Sequence, residues 1–146
     1  TLYLQTKMNY LFAAVVLCCT IAPSFAGHIN TYSCNDGETQ LATINYVDVE
    51  GCNRSQCNVI KGQNVTLSAS FTPNVTVTNS AARAYVTQKR ITLPYKLPSD
   101  DACENMKCPL EAGVPAVYTV TVKVYSYVFL GEAKVKGILE FDGGYG

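Results

Sequence analysis

The stretch Val65-Thr66-Leu67-Ser68-Ala69-Ser70-Phe71-Thr72 decides the fold class, because apolar and hydroxyl side chains alternate along it without a break. A period of two puts every second side chain on the same face of a strand. Val65, Leu67, Ala69 and Phe71 therefore share an apolar face, and Thr66, Ser68, Ser70 and Thr72 share a wet one. The pattern recurs at Tyr118, Val120, Val122 and Val124 against Thr119, Thr121, Lys123 and Tyr125. It returns at Ala133, Val135, Gly137, Leu139 and Phe141 against Lys134, Lys136, Ile138 and Glu140. Weaker strands are expected at 42–49 and 81–92.

Turn-forming residues punctuate these runs: Gly51, Gly62, Pro73-Asn74, Pro98 to Asp101, Gly113 and Gly131. Short strands with one-faced alternation predict an all-β sandwich of two antiparallel sheets, wet outside and apolar inside. The segment Ile91-Thr92-Leu93-Pro94-Tyr95-Lys96-Leu97-Pro98 is apolar, but its prolines bar it from a central strand. It belongs on a sheet rim, offering Leu93, Tyr95 and Leu97 as a lip.

The N-terminal stretch sets the expected compartment. Met8 precedes the apolar run Leu11 to Leu17, and Ser24-Phe25-Ala26 fits a secretory cleavage site. Residues 1–26 read as leader and signal peptide, and 27–146 as one domain. The apolar run is shorter than the roughly 20 residues a membrane span needs. Sequons at Asn53, Asn64 and Asn74 are expected glycosylation positions in a secreted chain.

Of the 7 cysteines, Cys18 and Cys19 leave with the leader. Cys34, Cys52, Cys57, Cys103 and Cys108 remain, an odd set for an oxidising compartment. Short-range pairs Cys52–Cys57 and Cys103–Cys108 would each close a polar loop. Cys34 is then either a free or intermolecular thiol or half of a pair whose partner lies beyond Gly146. The turn signal Phe141-Asp142-Gly143-Gly144 directly follows a strand-like run, which favours a chain lacking its last strand.

Other functions lack their residues. Lys+Arg and Asp+Glu balance at 11 each, so no strong field favours nucleic acid. His28, the single histidine, lies before the first retained cysteine and leaves a nucleophile without a well-placed base. Asp100-Asp101 sit in a turn where neighbouring carboxylates point apart. Cysteines spaced Cys-x4-Cys with one histidine suit disulfides better than zinc. No enzyme, metal or cofactor is expected.

The inward residues fit either a plain core or a cavity. Ten tyrosines and no tryptophan suit an apolar pocket with hydroxyls at its mouth. A guest between the sheets would meet Leu67, Phe71, Tyr118, Val120 and Val122.

The order Cys34, Cys52-x4-Cys57, Lys61-Gly62, Val65 to Phe71 and Cys103-x4-Cys108-Pro109-Leu110 resembles the ML (MD-2-related lipid-recognition) domain family. That family holds Niemann–Pick type C2-like secreted proteins and group 2 mite allergens, and the resemblance runs from about Cys34 to Asp142. It implies an immunoglobulin-like β-sandwich whose sheets part at one end around an apolar cavity. It implies a cysteine in a final strand as the partner of Cys34. It places a pocket aromatic at Tyr95 and a pocket valine at Val124. Val128 stands where sterol-binding members keep a tyrosine, although Tyr127 is adjacent, so a fatty acid or another sterol is an alternative to cholesterol. The implied function is a secreted, monomeric lipid- or sterol-transfer protein, extracellular or lysosomal, with transient membrane or lipid-receptor contact. The alternative is recognition of microbial glycolipids in innate immunity, for which Lys89-Arg90, Lys96, Lys134 and Lys136 would supply a basic rim.

Overall fold

The computed structural model describes residues 28–31, 40–53, 57, 59–125, 133–142 and 144–145. Residues 1–26, expected to be a leader, and Cys34, Gly131, Tyr127 and Val128 lie outside them.

Strands β1 (Ala42–Val49), β2 (Asn64–Pro73) and β5 (Ala116–Lys123) form one sheet, in the order β1-β2-β5. Strands β3 (Ser80–Gln88), β4 (Ile91–Tyr95), β6 (Lys134–Phe141) and the short β7 (Gly144–Tyr145) form the second, in the order β4-β3-β6-β7. Neighbours pair antiparallel throughout. The expected two-sheet β-sandwich is therefore what the chain adopts.

Register shows how the alternating residues find each other. Leu67 pairs with Val120, Ala69 with Tyr118 and Phe71 with Ala116, so the apolar faces of β2 and β5 form one surface. On the opposite face the hydroxyls pair as well: Thr66 meets Thr121 at 3.0 Å and Ser68 meets Thr119 at 3.1 Å. Asn45 Nδ2 extends that wet layer from β1, donating to Thr72 Oγ1 at 3.1 Å. Each outer hydroxyl thus has a neighbour that water does not need to replace.

The core gathers at one end of the sandwich. Phe71 of β2 and Phe141 of β6 face each other with ring centroids 6.1 Å apart. Val77 and Leu110 seal this end from two loops, joined by backbone bonds of 3.0 and 2.8 Å in both directions. Ala102, at the start of a 3-10 turn (Ala102–Glu104), and Met106 complete it. The Asp101 carboxylate caps that turn by accepting from the Cys103 amide at 2.9 Å. The Asp142 carboxylate accepts from the amides of Thr78 and Asn79, fixing the end of β6 to the loop before β3.

Both expected short-range disulfides are present, Cys52–Cys57 and Cys103–Cys108. The first closes part of the β1–β2 connection. The second braces the loop carrying Ala102, Met106 and Leu110, and its half-buried cysteines pack on the core.

One strand expectation needs correction. The run 81–92 is two strands, β3 and β4, folded into a hairpin at Lys89-Arg90. Both turn residues have left-handed φ, +47° and +67°. Hairpin turns of this kind favour Asn-Gly, so two long cations concealed the turn from a reading based on Gly and Asn. Gly62, by contrast, stands at φ +84° where a glycine signals the bend before β2. Pro94 sits on edge strand β4, as proline requires.

Candidate functional site

The inner face of the four-stranded sheet changes character along its length. Read along β6, Phe141, Leu139, Gly137 and Val135 oppose Ser80, Ala82, Ala84 and Val86 of β3. Phe141 is 5% exposed and Val135 is 68% exposed, although the two share a face of one strand. Leu93 of β4, which pairs with Val86, is 50% exposed. A Cβ added at Gly137 would meet nothing within 4 Å. The sandwich is therefore packed shut at the phenylalanine end and presents apolar side chains to solvent at the Leu93–Val86–Val135 end. Valine and leucine left in water gain none of the stabilisation that burial gives Phe141 at the other end of the same face.

Tyr95 ties the two sheets together at their adjoining edges. Its hydroxyl donates to the backbone carbonyl of Lys123, at the end of β5. Its ring lies 5.6 Å from that of Tyr125. An apolar body with a polar tip suits a rim position between oily interior and water.

The expected site residues fall as follows. Leu67, Phe71, Tyr118, Val120 and Val122 lie on the single inner face of β2 and β5, graded from fully buried Phe71 at the closed end to half-buried Val122. Tyr95 reaches toward them from the other sheet. Val124 is buried just past β5, held by backbone bonds of 2.8 Å to Gln63 and 2.7 Å from Gly62. Of the two leucines expected beside Tyr95 as a lip, Leu93 is exposed, whereas Leu97 is half-buried and packs against the core. Val86, Ala84, Gly137 and Leu139 share the inner face of the opposing sheet, and Leu139 packs against the core. Cross-strand register, invisible in the sequence, brings them there.

Two clefts run beside β4. One of about 300 Å³ is lined by Asn64, Lys96, Leu97, Pro98, Thr121, Lys123 and Tyr125. The other, about 260 Å³, lies among Arg83, Tyr85, Pro94, Tyr95, Leu97 and Asp100. Both mix charged and apolar walls. Charge elsewhere is peripheral: Arg83 Nε donates to Glu140 at 2.9 Å, and this bond raises the pKa of the exposed guanidinium. His28 Nδ1 meets the Asp48 carboxylate at 2.6 Å beside the Tyr46 ring. Lys134 and Lys136 lie on the outer face of β6, away from the apolar row. Asn53, Asn64 and Asn74 are all exposed. Among the described residues no group of three His, Cys, Asp or Glu side chains could hold a metal.

Comparison with known proteins gives this geometry its context. Mouse NPC intracellular cholesterol transporter 2 is 27% identical over 122 residues, covering 83% of this chain and 74% of the transporter. The MD-2-related lipid-recognition protein of Manduca sexta is 26% identical over 129 residues, covering 82% of this chain and 77% of its own. A Niemann–Pick type C2 protein from Japanese carpenter ant superposes with a TM-score of 0.66 at 21% identity, covering 78% of this chain and 91% of that one, and so shares the fold. The family profile for the ML domain matches residues 28–143. With its two antiparallel sheets packed together at Phe71 and Phe141 and its two short disulfide loops, this chain belongs to the ML-domain family.

Proposed function

We propose that this protein binds one apolar lipid between its sheets and carries it, with the polar group of the lipid near the Leu93–Tyr95–Val135 mouth. The observation that carries the reading is the inner face of β6, buried at Phe141 and exposed at Val135. Leu67, Phe71, Tyr95, Tyr118, Val120, Val122, Val124 and Val128 are the proposed lining. The names of the mouse and moth relatives, a cholesterol transporter and a lipid-recognition protein, support the same ligand class.

The driving force is removal of apolar surface from water. At about 25 cal/mol per Å², some 400 Å² of lipid surface contributes on the order of 10 kcal/mol before the costs of association. A sterol, a fatty acid or another apolar lipid satisfies this. A secreted, glycosylated and monomeric protein, passing lipid on by transient membrane or receptor contact, is the physiological form we propose, extracellular or lysosomal. Both disulfides fit an oxidising compartment.

Native mass spectrometry after incubation with cholesterol, palmitic acid and oleic acid tests the function. The expected spectrum shows a one-to-one adduct for at least one of them. An empty protein across that panel would overturn the proposal.

A further inference from the structure

Tyr118 places a polar atom in an interior that is mostly hydrocarbon. It lies on the inner face of β5, paired with the small Ala69, and is 5% exposed. Its hydroxyl is buried and has no hydrogen-bond partner among the described residues. Ser80, on the inner face of the opposing sheet, holds a second such hydroxyl. A buried hydroxyl without a partner is destabilising, and folded proteins seldom leave one so. Phenylalanine would fill the same volume without that penalty.

The position matters as much as the orphaned group. Along β5 the inner residues run Ala116, Tyr118, Val120 and Val122, and Ala116 pairs with Phe71 at the closed end. Tyr118 is therefore one inward step from the floor, far from the wet mouth at Leu93 and Val135. An apolar guest inserted from that mouth brings its leading end toward this hydroxyl. Burial also pushes the phenol pKa up, so the group stays protonated and can donate or accept.

We infer that Tyr118 is a polar anchor at the floor of the site, selecting lipids that carry an oxygen on the inserted end of the hydrocarbon. This inference rests on the lipid-binding reading and narrows its ligand class to tail-oxygenated lipids, such as side-chain-hydroxylated sterols or ω-hydroxy fatty acids. A guest without that oxygen leaves the hydroxyl unsatisfied; one with it supplies the missing partner.

Wild-type protein and Tyr118→Phe are titrated with two matched pairs of probes. One pair is palmitic acid and its ω-hydroxy form; the other is cholesterol and a side-chain-hydroxylated sterol. Wild type is expected to prefer the tail-oxygenated member of at least one pair by about tenfold, the worth of one buried hydrogen bond. Tyr118→Phe is expected to bring that ratio near one, weakening the tail-oxygenated lipid about tenfold more than the plain one, and to unfold at the same or a higher temperature. A ratio unchanged by the substitution, or a wild type that prefers the plain lipid, overturns the anchor alone. A Tyr118→Phe protein that melts lower and weakens both probes equally assigns Tyr118 a packing role and overturns it too. Binding to none of the four probes overturns the anchor together with lipid carriage, so the two failures are told apart.

Discussion

The hydroxyl of Tyr95, on the edge strand of one sheet, donates to the carbonyl of Lys123, on the edge strand of the other. This bond joins the edge of one sheet to the edge of the other.

Tyr95→Phe should keep the ring contact with Tyr125 and lose this bond. A loss of about 1 kcal/mol is expected, seen as a melting temperature lower by roughly 3–6 °C. Bound lipid should also exchange faster, by stopped-flow displacement of a fluorescent sterol or fatty acid. An unchanged melting point and exchange rate would show that the sheets are held by other contacts.

Val135 and Phe141 make a paired test because they share one face of β6. Val135→Asp removes no core packing, so stability should move by no more than about 0.5 kcal/mol while lipid uptake falls sharply. Phe141→Ala opens the floor and should cost about 3–5 kcal/mol in urea unfolding. Equal destabilisation by both substitutions would mean that Val135 is ordinary core.

The two disulfides enclose the same short separation of 5 residues, so their entropic contributions should match at about 2 kcal/mol each. Replacing Cys103 and Cys108 by alanine should nevertheless cost more than replacing Cys52 and Cys57, because only the former pair packs against the main core cluster, Cys52 being buried outside it. Equal shifts in denaturation midpoint would contradict this.

Arg90 holds a φ of +67° that a side chain makes unfavourable. Arg90→Gly should stabilise the β3–β4 hairpin by about 0.5–1 kcal/mol, relief of the left-handed strain outweighing the extra freedom glycine brings to the unfolded chain. Denaturant unfolding that shows a loss instead would place the value of Arg90 in its side chain.

Tyr118 also predicts an alkaline signature. Its folded pKa is raised by burial above the reference of 10.0, so in the unfolded chain it ionises first as pH rises. Its contribution to stability is intact below about pH 10 and is lost as pH climbs through the folded pKa. The melting temperature of wild type should therefore fall more steeply above pH 10 than that of Tyr118→Phe. Parallel curves would contradict a desolvated phenol.

Legibility in the sequence followed the physics of each element. Strands β2, β5 and β6 were readable because one face is apolar and the other polar over most of their length, and Pro94 marked an edge. The two short disulfides were readable because their spacing allows local closure and their loops are polar. The Lys89-Arg90 turn was not, since its left-handed backbone is carried by residues that do not advertise it. The site was half legible. Alternation identified Leu67, Val120 and Val122 as inward, but whether an inward residue is core or mouth depends on how far the sheets part. Exposure is set by register and loop packing, which is why the contrast between exposed Val135 and buried Phe71 and Phe141 emerged only with the structure.

Photo-crosslinking with a lipid bearing a diazirine on its hydrocarbon tail tests the central claim most directly. Lipid carriage between the sheets predicts that label, mapped by peptide mass spectrometry, falls on inner-face residues of β2, β5 and β6, including Leu67, Val120 and Leu139. Label confined to Thr66, Thr119 and Thr121 on the outer face, or to the Lys96–Pro98 cleft beside β4, would contradict it.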